Sequence, residues 1–148
     1  MKIGFDLDGT LDRPAMRALC AHLLRTNQQV YIITGVFPEA RGWQDEAAKR
    51  AKLERLGIAY YVCEELDLNS DKAILEGDIH DPVAQLYVLS AVPSTFDRDY
   101  RLIDLGLRKG ALCERLGVEM FFDDSSTYCE MLPKMSGNTL VLKVGEGK

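Results

Sequence analysis

The sequence predicts an α/β fold on a mostly parallel sheet, and three observations point there. Short β-rich runs alternate with helical stretches along the chain, the pattern of βαβ units. The acidic side chains that attract notice fall at the ends of the β-rich runs, where open parallel sheets bind their ligands. A chain of 148 residues, 47% hydrophobic and 28% charged, has room for one domain with a proper core and little more.

The elements follow in order. Lys2–Leu7 reads as a buried strand and Pro14–Thr26 as a helix. Pro14 suits the first turn, and Ala15, Leu19, Leu23 and Leu24 recur at helical spacing. Gln29–Thr34 is the second strand. Trp43–Leu56 is a charged, Ala-rich helix closed by Gly57, and Ile58–Val62 is a third strand. Between Cys63 and Asp104 the pattern blurs: Val83–Val92 is apolar but fits helix and strand equally, and Pro93 breaks the chain. A helix returns over Leu105–Leu116, stopped by Gly117. The strand Val118–Phe122 runs into Asp123-Asp124, a helix follows near Ser126–Met135, and Thr139–Val144 closes the sheet. Repeats, low-complexity tracts and interdomain linkers are absent from this pattern.

Composition removes several function classes. A formal net charge of -5 gives no long-range field for polyanions, so a small-molecule partner is favoured over nucleic acid. No run of about 18 apolar residues occurs, so no membrane span is expected. Asp6 and Asp8 interrupt the place where a signal peptide would continue its apolar region. Cys20, Cys63, Cys113 and Cys129 form neither a Cys-x-x-Cys pair nor a zinc spacing. They read as core thiols in a reducing cytoplasm.

The chemistry concentrates in Phe5-Asp6-Leu7-Asp8-Gly9-Thr10-Leu11. Two carboxylates two residues apart point to the same side of an extended chain, and Gly9 then lets the backbone turn away. Like charges at the end of a buried strand repel and lose hydration, a penalty that a bound cation removes. Ile32-Ile33-Thr34-Gly35 ends the second strand with a hydroxyl and a glycine that admits an anion to backbone N–H groups. Phe121-Phe122-Asp123-Asp124-Ser125 again ends an apolar strand in carboxylates, the oxygen ligands that Mg²⁺ takes.

The first of these motifs resembles the opening signature of the haloacid dehalogenase superfamily, and the order of the others is similar to that family's over essentially the whole chain. The resemblance implies a Rossmann-like three-layer sandwich without a large cap, and a Mg²⁺-dependent phosphatase working through an aspartyl-phosphate. It implies Asp6 as nucleophile, Asp8 as general acid and base, Thr34 and Gly35 at the transferring phosphoryl group, and Lys109 offsetting its charge. Metal ligands would be the Asp6 carboxylate, the Asp8 backbone carbonyl and one acid of Asp123-Asp124, with Asp124 preferred and Asp123 close by. Arg108 and Lys72 are rivals for the lysine role. Gly77-Asp78-Ile79-His80-Asp81 superficially resembles the family's Gly-Asp motif, but Lys72 stands too near it to leave room for a helix and strand. His80 reads as a loop residue and His22 as part of a helix.

The pattern departs from the family in one place. Many members carry a third acid or Asn four residues beyond the pair, where this chain has Thr127 or Tyr128. Only about twenty residues separate the first two motifs, so no large cap fits there. The surplus at about 63–105 has room for a small lid, and it carries Arg98, Arg101 and Arg108 with Phe96 and Tyr100. The expectation is therefore a single domain over 1–148 that hydrolyses a phosphate monoester. The alternatives are a nucleotide or polynucleotide-end phosphatase, or a catalytically silent phosphate-binding domain. A two-component receiver would need its aspartate at the third strand, which here ends in Val62-Cys63.

Overall fold

The computed structural model describes residues 1–37, 45–64, 83–93 and 95–145. Six strands form one all-parallel sheet: β1 (Lys2–Phe5), β2 (Gln29–Val36), β3 (Tyr60–Cys63), β4 (Ala84–Ser90), β5 (Met120–Asp123) and β6 (Leu140–Lys143). Their order across the sheet is β3-β4-β2-β1-β5-β6. Helices α1 (Pro14–Arg25), α2 (Glu46–Arg55), α3 (Arg98–Leu116) and α4 (Ser126–Met135) complete the elements described.

Side-chain alternation along the strands makes two cores. Val30 and Ile32 of β2 face the α1 and α2 side, joining Phe5, Cys20, Leu24 and Leu53. Tyr31 and Ile33 face the opposite side, with Phe121 of β5 and with Leu105, Leu112 and Leu132 of the α3 and α4 layer. The result is a Rossmann-like three-layer α/β fold without a large cap among the described residues.

Two elements differ from the sequence reading. Val83–Val92 resolves as strand β4, which is inserted between β2 and β3 and nearly fully buried. Burial on both faces makes such a strand continuously apolar, which is why periodicity could not separate it from a helix. Helix α3 begins at Arg98, capped by the Asp97 carboxylate, seven residues before the expected start at Leu105. Its buried stripe includes Arg101, Gly106, Lys109 and Gly110 among the apolar residues, so its amphipathic period is masked. In consequence β4 and α3 occupy the described residues from 84 to 105 apart from the connection between them, and any lid would fall in 65–82, outside the described residues. Lys72 and the Gly77–Asp81 stretch also lie outside them, as does Trp43 ahead of α2.

Helices α3 and α4 pack closely because α3 is glycine-lined where they meet. A Cβ on Gly110 would run into the Leu132 carbonyl, and one on Gly106 would come within 2.8 Å of Met131 Cβ. This approach sets Lys109 against both the sheet and Tyr128 of α4.

All six strands point the same way, so their carboxyl ends share one edge. Neighbours β2 and β5 flank β1 on opposite sides, which makes the end of β1 the topological switch point where such sheets bind ligands. No helix among the described residues is long and apolar enough to cross a membrane.

Candidate active site

The register of the sheet assembles the acidic cluster. Phe5 pairs with Phe122, so the next residues, Asp6 and Asp123, stand side by side at the sheet's edge. The Asp6 amide donates to the Phe122 carbonyl at 2.8 Å and fixes this junction. Phe5 faces the α1 and α2 layer, so Asp6 faces α3. Phe121 belongs to the α3-side core, and Asp123, two residues on, faces that side too.

Lys109 of α3 meets both. Its Nζ lies 3.0 Å from Asp6 Oδ1 and 3.1 Å from Asp123 Oδ2, and the side chain is fully buried. The ammonium also stands 4.3 Å from the centroid of the Tyr128 ring, a cation–π contact. Burial alone would lower the Lys109 pKa, but Asp123 and Asp6 outweigh it and raise it. The second Asp123 oxygen accepts the Ser125 amide at 2.9 Å, so this carboxylate is held at both ends.

Asp124 takes the position on the pocket wall. With Asp6 and Asp123 it contributes carboxylate oxygens that all lie within 4.8 Å of one another. Burial pushes the Asp6 carboxyl up to about 8, and the charges of Asp123 and Asp124 add to the rise against the pull of Lys109. Burial, then Asp123, also raises Asp124. Three carboxylates facing one ammonium leave the cluster short of positive charge. An all-oxygen donor set of this kind fits a hard divalent cation. Asp6 and Asp124, both open to the pocket, are the side chains able to hold one, with Asp123 tied to Lys109 behind them.

The turn after β1 is built for this proximity. Gly9 has φ 78°, and a Cβ there would collide with the Asp124 carboxylate. Asp12 Oδ2 accepts the Gly9 amide at 2.7 Å and holds the turn closed.

Asp8 behaves differently from the sequence expectation of two carboxylates on one side. The strand ends at Phe5 and the turn rotates the chain, so Asp8 reaches toward α2 while Asp6 reaches toward α3. Lys49 pairs with Asp8 Oδ2, and Lys52 Nζ lies 2.7 Å from Asp8 Oδ1 and 2.8 Å from Asp12. Burial would raise the Asp8 carboxyl, but the hydrogen bonds from Lys49 and Lys52 win and hold it below its ordinary value.

The two halves close a pocket of about 250 Å³. Asp6, Asp8, Asp124, Thr34 and Gly35 line it, with Lys49, Phe37 and Tyr128. Thr34 and Gly35 lie in the C-terminal part of strand β2, the neighbour of β1, and Thr34 is buried.

Asp6, Asp8, Thr34, Gly35 and Asp124 thus line one pocket, with Lys109 and Asp123 directly behind it. Lys109 sits in the middle of α3 rather than at a helix start, because the helix begins earlier than expected. Arg108, its rival, bonds the Ser90 carbonyl and pairs with Asp104. Arg101 bonds the Val92 carbonyl and stacks over Phe37. None of Arg98, Arg101 and Arg108 lines the pocket. Sequence reasoning missed Lys49, Lys52, Phe37 and Tyr128. The signal available for the lysines was their spacing, one helical turn apart on α2, which a solvated helix shares.

No protein-family model and no curated protein matches the sequence. The functional reading stands on the residues of the pocket.

Proposed function

We propose that the chain is a Mg²⁺-dependent phosphatase that hydrolyses a phosphate monoester through an aspartyl-phosphate on Asp6. The observation that carries this reading is the Lys109 ammonium bridging Asp6 and Asp123 beneath a pocket that Asp124 and Thr34 also line. A buried lysine shared by two carboxylates, beside a third carboxylate and a hydroxyl at the switch point, suits phosphoryl transfer. That reaction needs alignment and charge neutralisation more than covalent machinery.

In this reading Asp6 attacks phosphorus and the ester P–O bond breaks. The leaving oxygen takes a proton through Asp8, whose ion pairs with Lys49 and Lys52 must open for its carboxylate to carry one. A water then attacks the acyl-phosphate, gives its proton to Asp8, and releases inorganic phosphate with Asp6 regenerated. The Thr34 hydroxyl and the Gly35 backbone bind the phosphoryl oxygens, and Lys109 holds Asp6 in its attacking orientation. Mg²⁺ on Asp6, Asp124 and the Asp8 carbonyl, supported by Asp123, would offset the charge on the phosphoryl group.

The pocket volume of about 250 Å³ suits a small phosphorylated molecule better than a nucleic-acid end, and the acidic net charge agrees. Four free cysteines fit a cytoplasmic protein. The test is a panel of phosphate esters assayed with Mg²⁺ and with EDTA, with Asp6→Asn as control. Mg²⁺-dependent release of phosphate that Asp6→Asn abolishes is the expected result. Substantial turnover by Asp6→Asn, or none by the wild type on any ester, would discard the proposal.

A further inference from the structure

Beyond pairing with Asp8 and Asp12, two lysines of α2 have no task in the hydrolytic reading. Lys49 and Lys52 lie one helical turn apart, and both ammonium groups converge on Asp8. Helix lysines normally extend their ammonium into water. Here the Lys49 side chain is only 6% exposed and the Lys52 side chain 14%. Lys49 is the one basic side chain on the pocket wall among the described residues.

Their position decides what they can read. In the phosphatase reading the phosphoryl oxygens would lie toward Thr34, Gly35 and the Asp6–Asp124 wall. The leaving oxygen must pass Asp8, which protonates it. Lys49 and Lys52 touch Asp8 from the α2 side, so they stand beside the leaving group rather than beside the scissile phosphate. Ammonium groups that exchange their pairs with Asp8 and Asp12 for a substrate anion discriminate by the charge of the leaving group. Two flexible ammonium groups, each with three donors, match a tetrahedral dianion better than a planar carboxylate.

We infer that Lys49 and Lys52 recognise a second phosphate on the substrate, so that the preferred esters are phosphomonoesters whose leaving group is itself phosphorylated. This rests on the phosphatase reading above. Before substrate arrives, Asp8 and Asp12 hold the two ammonium groups in place as internal counter-ions.

The test compares ethyl phosphate with ethane-1,2-diol bisphosphate, which differ by one phosphate two carbons from the scissile oxygen. After halving for its two equivalent phosphates, the bisphosphate should exceed ethyl phosphate in kcat/KM by about tenfold or more. Lys49→Met and Lys52→Met should each cut that ratio, the double variant should bring it near one, and Lys49→Arg should retain part of it. A ratio is internal to each variant, so a general loss of activity cancels. A flat ratio in the wild type, or an undiminished ratio in the double variant, overturns the inference while turnover of both esters upholds the phosphatase reading. If neither ester turns over, the wider ester panel decides the phosphatase reading. Calorimetric titration of the same two compounds into Asp6→Asn then decides the lysine inference. Tighter binding of the bisphosphate that Lys49→Met removes supports it, and equal affinities overturn it.

Discussion

Replacing Lys109 by Met keeps the length and most of the volume of the side chain and removes only the charge. In the wild type that charge sits in a fully buried position, 3.0 Å from Asp6 and 3.1 Å from Asp123. Met leaves both carboxylates facing each other and Asp124 with no counter-ion. Breaking a buried ion pair from one side costs about 3–5 kcal/mol. The two pairs here share one ammonium, so the figure is not doubled. For a domain of this size it corresponds to a Tm lower by about 6–20 °C. The assay is urea and thermal unfolding in EDTA, followed by far-UV circular dichroism, with Lys109→Arg as a companion. Arg restores the charge but must fit a bulkier group into a site with no exposure, so it should recover only part of the loss. A Lys109→Met protein within about 1 kcal/mol of wild type would refute the reasoning, because that is the range of an exposed pair.

Further outcomes follow from neighbouring contacts. Gly9→Ala must adopt a left-handed backbone and push into the Asp124 carboxylate, so Mg²⁺-dependent turnover should fall steeply and stability by more than about 1 kcal/mol, read by kinetics and urea melts. Thr34→Val keeps a good strand residue at a buried position but removes the hydroxyl, and should lower kcat by about a hundredfold with little change in Tm. Burial pushes the Cys20 and Cys113 thiols from an ordinary 9.0 up to about 12, and iodoacetamide at pH 8 should modify half-exposed Cys129 before either. Since an unfolded chain releases those thiol protons near pH 9 while the folded one holds them, stability should fall as pH rises from 9 toward 12, and Cys20→Ala should flatten that slope. Gly110→Ala meets the Leu132 backbone and should lower Tm by prising α3 from α4, with activity falling as Lys109 shifts.

Much of the fold was legible because local signals agreed with the tertiary role. Pro14 at the first turn of α1 and Gly57 beyond α2 mark ends that the backbone itself imposes. Strand β4 was opaque for the opposite reason. Its residues are buried between β2 and β3, and only hydrogen-bonded neighbours reveal that Tyr87 pairs with Ile33 and Cys63. The first two turns of α3 were hidden because Arg101 fills a buried position by stacking its guanidinium over Phe37 and bonding the Val92 carbonyl. Polarity there marks a buried cation, and a hydrophobic pattern reads it as surface.

The site divides along the same line. Asp6, Asp123 and Thr34 could be read from sequence because each lies at or near the carboxyl end of a strand, and parallel strands bring those ends to one edge whatever their order. Lys109 needed the helix phase as well, since the sequence prefers it to its neighbour Arg108 and to Lys72, which lies outside the described residues, without fixing which side chain reaches the site. The register then separates it from Arg108. Positions 105, 109, 112 and 116 share the face toward the sheet, whereas 108 turns to the edge, where Arg108 bonds the Ser90 carbonyl. Lys49 and Lys52 required a contact 41 and 44 residues away along the chain, between α2 and the turn after β1. No local pattern encodes that distance. What encodes it is charge: Asp8 and Asp12 leave the β1 turn on the α2 side with no other cation among the described residues to pair with them. A helix packed on Leu53 beside that turn is stable there only if it presents positive charge at the facing positions.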